Sequence, residues 1–154
     1  MFDKLLAAGL GAVLSTSATA QTATASEPQS IVAALQAAGY AAQLDQPADG
    51  DPKIRSKSSG SSFTIFFYNC EKHRNCTTIQ FYAGYDTKTA PTLEVINSWN
   101  REKRFARAYL DKSSDPVIEM DLDLDSGGMT RALFTDNLDT WTSLMAAFEK
   151  HIGW

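Results

Sequence analysis

Two adjacent runs near the middle of the chain alternate hydrophobic and polar positions. They read SFTIFFYN over 62–69 and TTIQFYAGY over 77–85, and they flank a polar segment that begins and ends with cysteine. A period of two is typical of half-buried strands, so the runs predict an antiparallel hairpin. Pairing Cys70 with Cys76 sets its register. That register places three apolar pairs on one face: Phe67 with Ile79, Ile65 with Phe81, and Phe63 with Ala83.

Helical spacing marks three other segments. Ser26 as an N-cap and Pro28 behind it predict the start of a first helix that ends at Gly39. A second helix is expected from about Pro91 to Arg101, with an apolar side formed by Leu93, Ile96 and Trp99. A third begins near Thr130 and carries an apolar stripe that we interpret as core: Phe134, Leu138, Trp141, Met145, Phe148 and Ile152.

Four further strands complete the pattern. Tyr40 to Leu44 and Lys53 to Ser58 are separated by a turn-rich segment, and Arg104 to Leu110 precedes Val117 to Leu124. If the last two strands pair with Leu110 opposite Pro116, two pairs are buried and one charged pair lies outside. These are Ala108 with Ile118, Ala106 with Met120, and, on the outside, Arg107 with Glu119.

The order of elements is therefore helix, strands, helix, two strands, helix. This order predicts an α+β fold in which an antiparallel sheet carries its helices mainly on one face. We assign residues 27–154 to a single domain, since no repeat or second domain is evident.

The first twenty residues have the features of an export signal. Lys4 precedes a charge-free run over 5–14, and Ala18-Thr19-Ala20 is a pattern that signal peptidase accepts, so cleavage is expected before Gln21. An uncleaved anchor is the alternative, although about ten apolar residues are half of what a spanning helix needs. We expect a periplasmic or secreted chain with no membrane span after cleavage, and residues 21–26 as a flexible spacer.

Charge argues against general nucleic-acid binding. The net charge is -4 before and after removal of the leader, whereas nucleic-acid binding needs a basic surface. One basic run comprises Arg101, Lys103, Arg104 and Arg107. We interpret it as a solvated, paired surface rather than a phosphate patch, because Arg107 is expected to face Glu119 across the strand pair.

The two cysteines predict a disulfide. Cys70 and Cys76 are the only pair, and they lie opposite each other in the expected hairpin of an exported chain. Two other roles fit the residue types. Cys70, His73 and Cys76 are three side chains that could bind zinc, but a structural zinc site needs four. A C-x5-C pair is also wider than the usual redox-active C-x-x-C.

The sequence contains few signs of metal binding or catalysis. Asp121, Asp123 and Asp125 suggest a calcium loop, but Ser126 and Ala132 stand where its glycine and glutamate belong. The chain lacks G-x-S-x-G, HExxH, a phosphate loop and a dinucleotide fingerprint. We therefore expect no cofactor, no bound metal and no catalytic residues.

The amino-acid sequences of several segments resemble those of the YbjN-type domains, a family described as bacterial sensory transduction regulators. The resemblance covers about residues 28 to 150. Its most specific motifs are FYAG at 81–84, NRE at 100–102, RFARAYLD at 104–111 and DPVIEMD at 115–121. It implies a fold similar to that of type III secretion chaperones, and the chain looks like an exported, cysteine-containing branch. The family pattern names no catalytic residues to carry over.

The hairpin register also predicts a second, aromatic face. Phe66, Tyr68 and Tyr82 point away from the expected core, where aromatic residues need either a cover or a partner. We take them as a candidate surface for a protein partner or for self-association. A thiol-dependent or hydrolytic enzyme is the alternative, and it would show a cleft with convergent polar groups instead of a broad apolar sheet face.

Overall fold

A computed structural model describes residues 22–154 of the chain. The predicted leader, its cleavage site and the first residue of the predicted spacer lie outside the described residues. The elements in chain order are β1 (Thr22–Ala23), α1 (Pro28–Ala37), β2 (Gln43–Asp45), β3 (Lys53–Ser58), β4 (Ser61–Tyr68), β5 (Thr78–Gly84), α2 (Leu93–Glu102), β6 (Arg107–Leu110), β7 (Pro116–Asp123), β8 (Met129–Thr130) and α3 (Arg131–Ile152).

Six of these strands form one antiparallel sheet in the order β2-β3-β4-β5-β7-β6. The predicted register of the central hairpin is confirmed by the pairing of Ile65 with Phe81 and of Phe67 with Ile79. The register of β6 against β7 is confirmed too, with Leu110 opposite Pro116 and Arg107 opposite Glu119. The predicted α+β class and its order of elements are therefore correct.

The three helices pack together on one face of this sheet. Trp141 of α3 is fully buried and lies against Phe63 and Phe81, with ring centroids 6.2 and 5.5 Å away. Trp99 of α2 meets Phe148 of α3 edge to face at 5.0 Å. The predicted core stripe of the last helix is thus confirmed for the five residues up to Phe148. Leu93, which was placed on the core side of α2, is instead 67% exposed.

The N-terminal segment, which the sequence predicts to be a flexible spacer, packs against the domain in the structure. Residues 22 and 23 form β1 and pair with β8, and Ala23 and Ala25 are 1% and 0% exposed. The side chain of Ser30 fixes the segment to α1, because its hydroxyl accepts from the amide of Thr24 and donates to its carbonyl. Small residues suggest flexibility, but here their size lets the backbone lie close to the core. Ser26, the predicted cap of α1, bonds Thr24 instead, and Glu27 occupies the N-cap position.

The strand β6 begins three residues later than predicted. Phe105 adopts a positive φ of 72° and is 68% exposed, so the chain turns there before it joins the sheet. The outer edge of β6 is covered by α2. Asn100 donates to the carbonyl of Ala108 at 3.0 Å and accepts from its amide at 2.8 Å, as a neighbouring strand would. This contact protects an edge that is otherwise open to pairing with another chain.

Candidate functional site

The side of the six-stranded sheet that faces away from the helices is the candidate site. We call this side the outer sheet face, and it carries Phe66 and Tyr68 of β4, Tyr82 of β5 and Tyr109 of β6. Alternation along each strand sends these side chains outward while their neighbours enter the core. Tyr68 is 43% exposed and Tyr109 is 36% exposed, while Phe66 and Tyr82 are half-buried. Tyr68 and Tyr109 thus reach solvent, whereas Val117, Gln80 and Glu119 on the same face are buried.

The aromatic rings of the outer sheet face are held in place. Phe66 and Tyr82 pack edge to face with their ring centroids 5.5 Å apart. The ring of Tyr82 also lies over Gly84, since a Cβ at that glycine would come within 2.9 Å of the tyrosine hydroxyl. Glycine therefore makes room for the ring along its own strand. Rigid, partly exposed aromatic rings are typical anchors of protein interfaces.

Hydrogen bonds tie the tyrosine hydroxyl groups to carboxylates on β7. Tyr68 donates to Gln80 at 3.3 Å, and Gln80 in turn donates to Asp121 at 2.8 Å. Tyr109 donates to Glu119 at 2.6 Å, and Arg107 forms an ion pair with the other oxygen of that carboxylate. Glu119 lies on the outer side, as predicted, but it is only 5% exposed because it sits beneath these two partners.

Burial and these carboxylates keep the tyrosines protonated. Burial raises the pKa of Tyr68, and the negative charges of Glu119 and Asp121 raise it further. Burial is also the main cause of the raised pKa of Tyr82. For Tyr109, burial and the hydrogen bond to Glu119 both raise the pKa. The hydroxyl groups therefore act as neutral donors near physiological pH and supply no general base.

Charge is unevenly distributed across the outer sheet face. On the β3 side, Lys53, Arg55 and Lys57 point outward together with the single carboxylate of Asp45, which lies 3.4 Å from the first two. On the β7 side, the cross-strand register places three carboxylates outward with one cation, Arg107. The three are Glu119, Asp121 and Asp123. The face is thus basic on one side, aromatic at the centre and acidic on the other side.

The hairpin that supports this face ends in the predicted disulfide. Cys70 and Cys76 are bonded, with sulfur atoms 2.08 Å apart. Inside the ring, Glu71 and Arg74 pair through two backbone hydrogen bonds around a tight turn. His73 at the tip contacts Asp51, with 2.8 Å between Nδ1 and a carboxylate oxygen. The bond removes both cysteines as zinc ligands in this structure, whereas a redox-active pair would carry the same bond in its oxidised form.

One serine and one histidine approach each other in a second place. The hydroxyl of Ser98 is 3.2 Å from Nε2 of His151, and both atoms contact the carbonyl of Val95, at 2.8 and 2.9 Å. A carbonyl only accepts, so its two contacts require hydrogen atoms on the hydroxyl and on Nε2. A protonated Nε2 has no lone pair to take a proton from Ser98. The pair therefore joins the start of α2 to the end of α3 and lacks the geometry of a nucleophile and its base.

The acidic strand and the basic run are both accounted for by local contacts. Asp123 and Asp125 accept hydrogen bonds from backbone amides of the turn that follows β7. In residues 22–154, no three His, Cys, Asp or Glu side chains are grouped as metal ligands would be. In the basic run, Arg101 pairs with Glu94 at 3.0 Å, and Lys103 lies over the Trp99 ring.

Sequence reasoning found three of the four aromatic residues of the outer sheet face. Tyr109 was missed although the signal was present, because the register that sends Arg107 outward also sends Tyr109 outward, opposite Val117. Val117 is fully buried yet lies outside the main core cluster. It therefore belongs to a small apolar layer on the outer side. Gln80, which links Tyr68 to Asp121, was not recognised, since a polar residue in a strand gives no sign of its partners.

Comparison with known proteins identifies a family. Residues 27–154 match the family model YbjN, described as "Putative bacterial sensory transduction regulator". No curated protein and no solved structure matches the chain. The match covers α1 to α3 and leaves out β1. Within residues 22–154 there is also no helix with the length and hydrophobicity needed to cross a bilayer.

Proposed function

Because the chain belongs to the YbjN family, we propose that it is an exported, non-catalytic regulatory module that acts by binding protein through the outer sheet face. The observation that carries this proposal is the set of four fixed and partly exposed aromatic side chains on one side of the sheet. Tyr, Phe and Arg are enriched where interfaces bind most strongly, and the face combines all three.

Export is supported by the disulfide and by the leader-like sequence. A bond between Cys70 and Cys76 persists in the periplasm or outside the cell, where thiols are oxidised. Cleavage before Gln21 would also leave Thr22 and Ala23 free to form β1. Residues 1–20 thus act as a signal peptide in this proposal, and residues 27–154 form the family domain.

A thiol-dependent or hydrolytic enzyme is the second candidate. It is disfavoured because the two cysteines are bonded to each other and because Ser98 and His151 both donate to the same carbonyl. A catalytic site needs polar groups that converge on a cleft. The polar groups of the outer sheet face instead hydrogen-bond one another along the sheet.

The proposal is tested by replacing Phe66, Tyr68 and Tyr82 together with serine. We expect capture of partner protein from periplasmic extract and self-association to be lost, because aromatic anchors contribute much of the binding energy of an interface. Melting temperature and light scattering are measured on the same samples. Unchanged capture and association at an unchanged melting temperature would place the interaction surface elsewhere.

Two further variants separate binding from stability. Phe66 and Tyr82 are half-buried, so the triple variant is expected to lose some stability, whereas Tyr68→Ser changes the most exposed ring and is expected to weaken binding alone. Leu93→Ser removes a hydrophobic side chain that is 67% exposed on α2, away from the face. Binding that is lost in Tyr68→Ser and kept in Leu93→Ser supports the proposal, and the reverse overturns it.

A further inference from the structure

The outer sheet face has opposite charges at equal distances from its centre. In the strand order β2-β3-β4-β5-β7-β6, the line between β4 and β5 divides the sheet into halves of three strands. β3 lies in the same position in one half as β7 in the other. β3 presents Lys53, Arg55 and Lys57, while β7 presents carboxylates. A surface with this arrangement is complementary to itself after a half-turn.

The register shows which residues such a half-turn brings together. Lys53, Phe66, Gln80 and Asp121 lie in one row across the sheet. Rotation about an axis parallel to the strands, between β4 and β5, keeps each row at its own height and exchanges left and right. Lys53 of one copy then lies over Asp121 of the other.

The adjacent row behaves in the same way. It contains Arg55, Thr64, Tyr82 and Glu119, and it ends at Arg107 on β6. The half-turn places Arg55 over Glu119 of the second copy, although Glu119 is buried beneath Arg107 and Tyr109, so the contact of Lys53 with the exposed Asp121 is the stronger of the two. At the edge, this row places Gln43 of β2 over Arg107 of the second copy, and Asp45 lies one row away. Lys57 instead shares its row with Val117, so the charge match is confined to the rows of Lys53 and Arg55.

We propose that the partner of the outer sheet face is a second copy of this chain, stacked face to face around this two-fold axis. The inference rests on the proposed function, since it assigns an occupant to the same surface. The resulting dimer has two sheets at the centre and helices on both outer sides. Such an isologous interface closes on itself and gives a dimer, not a filament. The sheets pack about 10 Å apart, and the aromatic rings fill the space between them.

The area of the outer sheet face determines how tightly we expect the two copies to bind. Six strands spaced about 4.8 Å apart and roughly six residues long give an area of about 600 Å² per copy. Stable interfaces bury about 800 Å² per partner, so this dimer belongs to the weaker, reversible class. We expect dissociation in the micromolar range, and we expect salt to weaken the dimer because it screens the paired charges.

Exchanging the two charges of one row tests the proposal. Lys53→Glu and Asp121→Lys each place like charges together at both contacts of the homodimer, so each variant alone is expected to dimerise about tenfold or more weakly. In an equimolar mixture, the two introduced side chains meet at one contact, and their charges are opposite. The other contact joins the native Asp121 of the first variant to the native Lys53 of the second. Both contacts therefore become attractive, and a mixed dimer forms.

Sedimentation velocity over a range of concentrations, at low and high salt, measures wild type, the two variants and their mixture. Asp139→Lys is the matched control, since Asp139 is exposed on α3 and away from the sheet. We expect wild type and this control to dimerise equally. A dimer that neither exchange weakens, or a mixture no stronger than its components, would overturn the proposed geometry.

The same experiment distinguishes this inference from the proposed function. If wild type stays monomeric up to hundreds of micromolar while the triple serine variant loses capture of a periplasmic protein, the occupant is another protein and only the inference fails. If wild type stays monomeric and the serine substitutions change no capture, both fail. Recovery of association in the mixture supports both, since no third protein is present.

Discussion

Single side chains at the contact between helices and sheet account for most of the specific packing in this domain. Trp141 touches Phe63 and Phe81 of the hairpin and is fully buried. In residues 22–154, its indole nitrogen also finds no hydrogen-bond partner. The ring is therefore held by shape and apolar contact alone, which makes it a sensitive probe of the core.

Trp141→Ala is expected to reduce the free energy of unfolding by about 3 to 5 kcal/mol, as large-to-small changes in a core do. Trp141→Phe is expected to cost less, because it keeps much of the ring and removes an unpaired donor. Urea unfolding measures both. Leu133→Ala, on the same helix but 51% exposed, is the control and should change stability little. A midpoint unchanged by Trp141→Ala would show that α3 packs by another side.

The outer side of the sheet shows what residue patterns can and cannot predict. The period of two correctly separated Phe67, which is buried, from Tyr68, which is exposed. It could not show that Glu119 is nearly buried on the outer side, because that depends on the positions of Arg107 and Tyr109 on a neighbouring strand. Burial of a charged residue is decided by its partners, and partners far apart in sequence leave no local signal.

At the scale of elements, the hairpin β4-β5 was predicted best. Its two strands are long and strongly alternating, and the cysteine pair fixes their register independently of the apolar pattern. The short strands β1 and β8 were missed. Each has two residues, too few for a period to appear, and they pair across more than a hundred positions of sequence. Their existence depends on how the completed core places the two segments side by side.

The disulfide is expected to stabilise the hairpin modestly. Closing so short a ring contributes about 2 kcal/mol in the chain-entropy description. Within it, Lys72 and His73 both have positive φ, which the ring helps to maintain. We therefore expect the variant with Cys70 and Cys76 replaced by serine to unfold at lower urea concentration and to match reduced wild type.

Thiol labelling checks the bond itself. Exported protein that is denatured without reductant should not be modified at Cys70 or Cys76, and reduction should expose two thiols. The double serine variant supplies the blank for the label. Modification of both cysteines without reductant would contradict the prediction.

At the scale of the whole molecule, the two ends of the domain meet where the N-terminal segment packs against the loop before α3. Gly128 has a φ of 79°, and a Cβ there would collide with the carbonyl oxygen of Ala23. Gly127 has a φ of 101° and open space around it. Both glycines have positive φ, but only Gly128 contacts residues that precede the family domain.

Gly128→Ala is therefore expected to lower the melting temperature more than Gly127→Ala. Both substitutions strain a left-handed backbone, at a cost of roughly 1 kcal/mol, but only the first displaces β1 from β8. Thermal unfolding of both variants is compared with the same pair in a chain that begins at Ser26. There the difference should disappear, because the carbonyl of Ala23 is gone. Equal melting temperatures in the longer chain would mean that the segment from Thr22 to Ala25 is not part of the folded domain, as a spacer would require.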